Sequence, residues 1–82
     1  MAEDLYPTPT RLALLADIDA GKVADNADAI PMLDLGPDEK PSRVADGVWE
    51  LHRAKWVHQL EGEKLWRLTW RGRDVMKGRS DG

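Results

Sequence analysis

The sequence has no cysteine, no phenylalanine and a single tyrosine. Without cysteine, neither a disulfide nor a thiolate zinc site can staple so small a fold. Without phenylalanine, the four tryptophans must supply much of the large apolar area. The lack of cysteine also fits a reducing cytoplasm. Long apolar runs are missing too, so nothing approaches the ~20 residues of a membrane-spanning helix. The opening Met1-Ala2-Glu3-Asp4 is acidic and lacks the basic region and apolar core of a signal peptide. The expectation is a soluble cytoplasmic protein with no membrane association. At 82 residues there is room for one domain. A chain of this size buries only about 60–65% of its unfolded surface, so its stability margin is thin.

Positive charge is scarce in the first half. Residues 1–41 carry three basic side chains (Arg11, Lys22, Lys40) against nine acidic ones, a net of −6. Residues 42–82 carry nine basic against six acidic, a net of +3, which leaves −3 overall. Only the second half can attract phosphate, and only modestly.

Residues 1–7 are expected to fray and residues 78–82 to be disordered, leaving a domain over 8–77. Thr8-Pro9-Thr10 reads as a helix start, with Thr8 as N-cap and Pro9 in the first turn. Leu12, Leu15, Ala16 and Ile18 recur at helical spacing, and Gly21 offers a left-handed stop, so a first helix spans Pro9–Ala20. Lys22-Val23-Ala24 suits a short edge strand. From Asp25 to Pro41, three prolines rule out a long helix but leave room for a helical turn or two within Ala27–Leu35. Ile30, Met32, Leu33 and Leu35 make this stretch too apolar for a free linker.

Ser42 suits an N-cap for a second helix running to Lys55, with Val44, Val48 and Leu51 inward. Val48 and Leu51 are expected against Leu12 and Leu15, with Trp66 completing the cluster. Gly47 weakens that helix by roughly 1 kcal/mol relative to Ala, which close approach of another backbone, such as helix 1, would explain. After Lys55 the period becomes alternating: Val57 and Gln59 share one face, and Trp56, His58 and Leu60 the other. Glu61-Gly62-Glu63 signals a hairpin turn. On the return strand, Trp66 and Leu68 oppose Leu65 and Arg67. Thr69 then caps a last helix through Lys77, with Val75 and Met76 as its apolar contacts.

Little here suggests chemistry. His52 and His58 have no carboxylate or cysteine arranged around them as metal ligands. Ser42 reads as a cap and Ser80 lies in the tail, so no nucleophilic triad is visible. Asp17 with Asp19, and Glu61 with Glu63, read as solvated charges. No glycine loop is built to cradle phosphate. No enzymatic activity, metal or cofactor is expected.

The run Arg43-Val44-x-x-x-Val48-x-x-Leu51-x-x-Ala54-Lys55-Trp56-Val57 resembles the recognition helix and first wing strand of the MarR- and PadR-like winged helix-turn-helix families. Leu68-Thr69-Trp70-Arg71-Gly72-Arg73 resembles their exit from the second wing strand into the next helix. Small actinobacterial and actinophage proteins share this general pattern. The resemblance covers about forty residues, the two motifs together being more specific than either alone. It implies an α+β winged helix of about three helices with a C-terminal hairpin wing. It also implies a small DNA-binding transcriptional regulator, a monomer or weak homodimer because the usual extra dimerisation helices are absent. Two features depart from the pattern. Lys55 stands where those families often use Gly, so the helix stop is expected from the following strand. The expected second helix of the helix-turn-helix is replaced by Ala24–Lys40, with five acids and one base.

On a helical wheel the outward arc of the second helix carries Asp46, Trp49, Glu50 and Arg53, flanked by Arg43 and Gly47. Two acids and a tryptophan are unusual for a major-groove reader, where Arg, Lys, Asn and Gln prevail, although Glu or Asp can accept from cytosine. Trp49 either packs beneath Ala24–Lys40 or stays exposed as a contact. Lys64, Arg67, Arg71 and Arg73 form the best basic cluster, with Lys64 and Arg67 suited to the wing. Two functions remain open. One is binding of double-stranded DNA through Arg43, Asp46, Trp49, Glu50, Arg53 and the wing. The other is a winged-helix module that binds a host or partner protein through the acidic, Trp49-centred face.

Overall fold

The computed structural model describes residues 6–80. The chain is a mixed α+β fold of three helices and two small antiparallel sheets. Helix α1 (Pro9–Asp19) starts as its sequence dictates: Thr8 is extended, and its hydroxyl accepts the Arg11 N–H at 3.3 Å. Leu15 and Ile18 turn fully inward, while Ala16, on the same face by spacing, is exposed. Past Ala20, Gly21 adopts a φ of 79°, and the N–H groups of Gly21 and Lys22 reach the Ile18 and Asp17 carbonyls, each at 3.0 Å. This is a Schellman stop.

Strands β1 (Val23–Asp25), β2 (Pro31–Leu33) and β3 (Ser42–Arg43) form one antiparallel sheet in that order. A strand therefore occupies Pro31–Leu33, where a helical turn had room to form. The Asn26 side chain explains the reversal: its Oδ1 accepts the N–H of Asp28 at 2.8 Å and of Ile30 at 3.0 Å, closing a tight turn. Pro31 sits at the first position of its strand, where a missing donor is tolerated. Its carbonyl accepts the Val44 N–H at 3.0 Å.

Ser42 is not a helix cap. It pairs with Leu33, and Arg43 with Met32, so these residues belong to β3. Helix α2 (Ala45–Arg53) starts three residues later, capped only by the Val44 backbone. The end of α2 also differs from expectation, because the stop lies in Lys55 itself. Lys55 takes a φ of 68°, and Lys55 and Trp56 donate to His52 and Leu51, each at 3.0 Å. The pattern repeats the one after α1, with lysine where α1 uses glycine. Trp56, which alternation grouped with His58 and Leu60, is buried. It holds the position of a Schellman stop whose side chain commonly packs on the helix, and it joins Leu51 in the core.

Strands β4 (Val57–Gln59) and β5 (Trp66–Leu68) form the expected hairpin, with Val57 opposite Leu68, His58 opposite Arg67 and Gln59 opposite Trp66. Helix α3 (Trp70–Ser80) runs three residues beyond the Lys77 limit. Thr69 ties its start down twice: Oγ1 accepts the Gly72 N–H at 3.1 Å and donates to the Lys55 carbonyl at 2.7 Å. A Cβ on Gly72 would collide with the Trp56 carbonyl, so the close packing there needs glycine. Gly47 meets helix α1 as expected, but through a side chain: its Cβ would stand 2.8 Å from Leu14 Cδ2. Of the expected flexible ends, residues 1–5 and 81–82 lie outside the described residues.

The core joins all layers. Leu15 and Ile18 from α1 and Val48 and Leu51 from α2 meet Val23, Trp56, Val57, Trp66 and Leu68, with Leu12 partly buried at the edge. The two sheets touch through a bridge between Ala24 and Leu65, reinforced by the Asp25 N–H on the Lys64 carbonyl at 2.8 Å. The hairpin is thus seated on β1, close to where α2 ends. No described helix is long and apolar enough to cross a membrane.

Candidate functional site

The residues singled out in the sequence fall into three groups. The first is the outward arc of α2. Asp46, Trp49 and Arg53 are exposed and Glu50 is half-buried, following the i, i+3, i+4, i+7 spacing. Arg43 lies exposed on β3, just before the helix. Trp49 leaves 42% of its surface in solvent, so Ala24–Lys40 does not bury it.

Arg11 reorganises this arc. From α1 it donates Nε to Glu50 Oε1 at 3.1 Å and Nη2 to Oε2 at 2.8 Å, a fork on both carboxylate oxygens. Its Nη1 donates to the Tyr6 carbonyl at 2.8 Å, so the guanidinium is held from both sides. The hydrogen bonding with Arg11 holds Glu50 below its ordinary pKa of 4.5, against a smaller opposing effect of burial. The charges of Arg11 and Arg53 add to the lowering. Glu50 is therefore a neutralised, oriented acceptor on the arc. Asp46 is the arc's other acid and is exposed, as are the cations Arg43, Arg53 and Lys55.

The second group is the hairpin. Arg67 lies on its outer face and pairs with Glu63 at 3.2 Å, both about half-exposed. Such an exposed pair contributes little to stability and is readily broken. Lys64 is exposed, while its backbone carbonyl accepts from Asp25 and from Gln59 Nε2. The tip also carries Glu61 and Glu63, so the hairpin's positive charge is confined to Lys64 and Arg67.

The third group lies on α3. Through Thr69, α3 begins beside Lys55 and Trp56, next to the C-terminal end of α2. Arg71 lies 5.8 Å over the ring of Trp70, which is 74% exposed. Arg73 reaches back to Asp19 at 3.9 Å, joining α3 to α1. Arg67, Arg71 and Arg73 are thus each held by a different partner.

The histidines are used in packing or left at the surface. His52 meets Trp66 edge-on, with ring centroids 5.5 Å apart, and His58 lies on the outer strand face. Among the described residues no group of three His, Asp or Glu side chains is placed to hold a metal ion. Sequence reasoning missed Arg11, although it is the one basic residue before Lys22 and sits on the helix that packs against α2. It also missed Asp25, whose carboxylate accepts from Trp66 Nε1 at 2.8 Å and from Gln59 Nε2 at 3.0 Å. No family model, curated protein or solved structure matches this chain.

Proposed function

We propose that this chain is a winged-helix domain that binds duplex DNA as a small transcriptional regulator. In this reading α2 enters the major groove and the β4–β5 hairpin is the wing. The order of α1, β1, α2, hairpin and α3 supports it, as does the seating of the hairpin against β1. The β2–β3 ribbon stands where the helix replaced by Ala24–Lys40 was expected. One acid of its connecting loop, Asp34, lines a shallow recess with Asp17, Lys22, Leu33, Leu35 and Gly36, none of which belongs to α2.

The observation that carries the reading is the Arg11–Glu50 fork. A free carboxylate on the arc would be repelled by phosphate, whereas a paired one adds no net charge. With Glu50 neutralised, the exposed charges around α2 are Arg43, Arg53 and Lys55 against Asp46. Binding of duplex DNA by the Arg43→Ala and Arg53→Ala variants tests this. Each lost phosphate contact should lower the slope of log K against log salt by about one. If both variants bind like the parent, α2 is not the DNA-contacting element.

A second reading, a module for a partner protein, has Trp49 in its favour. A large indole in solvent beside Asp46 suits an interface anchor, whose truncation often costs about 2 kcal/mol or more of binding. Under that reading Trp49→Ala abolishes partner capture with the fold intact, and duplex DNA binds only weakly.

A further inference from the structure

We infer that Glu50 is a base-reading residue and that Arg11 is its positioning residue, presenting the carboxylate to the exocyclic amine of a cytosine in the major groove. The inference rests on the DNA-binding reading and adds a sequence preference to it. An ionised carboxylate offers about four acceptor positions, two on each oxygen. Arg11 occupies one on each oxygen, and 42% of the Glu50 side chain remains in solvent, so acceptor capacity still faces outward. The Arg11 side chain is only 25% exposed and spends its other arm on the Tyr6 carbonyl. It is poorly free to reach a phosphate itself. Its effect is to fix the long Glu50 side chain before any ligand arrives, which removes an ordering cost from binding.

Base chemistry then decides what such an acceptor selects. Cytosine presents an N4 amine in the major groove; thymine presents the O4 acceptor and guanine the N7 and O6 acceptors. Those acceptors would face the carboxylate lone pair to lone pair. Adenine offers its N6 amine but sets the N7 acceptor beside it, so a carboxylate suits cytosine better. Arg53 stands one helical turn further along the same arc, and an arginine there suits guanine O6 and N7. Its charge already helps hold Glu50 ionised. The arc therefore fits a site containing G·C pairs. As a mere cross-link between α1 and α2, a half-exposed ion pair would contribute little.

Glu50→Gln supplies the test, because glutamine pairs with adenine N6 and N7 where glutamate cannot. Selection from random duplexes with the whole chain should enrich cytosine at one position for the parent and adenine there for Glu50→Gln. Arg11→Gln should weaken the cytosine preference without replacing it. A substitution-free arm uses the selected duplex with that C·G pair exchanged for T·A. The parent should bind it about tenfold more weakly, within the discrimination expected of a specific base contact. If the parent binds duplex DNA but Glu50→Gln and the exchanged duplex leave the preference unchanged, this inference is overturned and the DNA-binding reading stands. If the parent binds no duplex at all, both fall.

Discussion

Trp66 donates its indole N–H to Asp25 Oδ1 at 2.8 Å, and this bond fastens the hairpin to β1 across the junction between the two sheets. The second carboxylate oxygen of Asp25 accepts from Gln59 on the neighbouring strand at 3.0 Å. One half-buried acid thus satisfies donors from both strands of the hairpin. Asp25→Ala should destabilise the domain by about 1–3 kcal/mol, the cost of leaving the Trp66 N–H without a partner, while Gln59 keeps the Lys64 carbonyl. Asp25→Asn keeps an acceptor for Trp66 and should cost clearly less. Urea denaturation followed by tryptophan fluorescence compares them, and equal losses would contradict the assigned role.

Lys55 and Gly21 hold the same left-handed position after their helices. Lysine carries a steric penalty there that glycine does not. Lys55→Gly should raise stability by about 0.5–1 kcal/mol, the left-handed penalty less the freedom that glycine adds to the unfolded chain. A destabilised variant would mean that the lysine side chain contributes more packing than its exposure suggests.

Two core substitutions separate cavity from collision. Leu51→Ala empties a fully buried site between α1, α2 and Trp56 and should cost roughly 2–5 kcal/mol. Gly72→Ala forces a methyl group onto the Trp56 carbonyl and should cost about 1–3 kcal/mol through strain. Thermal melting measures both. An unchanged melting temperature for Leu51→Ala would mean that the inward face of α2 is misassigned.

The Arg11–Glu50 pair also predicts an acid dependence. Glu50 titrates below its ordinary 4.5, so the folded state holds this proton less tightly than the unfolded chain does. Its contribution to stability is fully present above pH 4.5 and is lost as pH falls through the depressed value. Melting temperatures of the parent should fall more steeply than those of Glu50→Gln below pH 4.5. Parallel curves would show that the pair is not maintained in solution.

How far the sequence could be read depended on where the deciding contacts lie. Thr8-Pro9, the Val48–Leu51 stripe, the alternation after Trp56 and the Thr69 cap are local signals, and each element formed where its signal stood. Ser42 misled because its capping chemistry is real but weaker than the pull of the sheet, which pairs Ser42 and Arg43 with β2. The strand at Pro31–Leu33 was hidden because its pairing partners are distant and prolines usually argue against sheets. On the outward arc, spacing gave which residues reach the surface but not how their charges are paired. Glu50 looks like a free acid until α1 brings Arg11 across to it, a contact that neither helix reveals alone.

The central claim, that the outward face of α2 meets DNA, is tested most directly by mapping backbone amide shifts while duplex DNA is added at two salt concentrations. Even non-specific binding, in the range of about 10⁻⁴–10⁻⁶ M, lies within reach of this measurement. The account predicts shifts concentrated from Arg43 to Lys55 and at Lys64 and Arg67, with affinity falling as salt rises. Shifts confined to other surfaces, or none at either salt concentration, would contradict it.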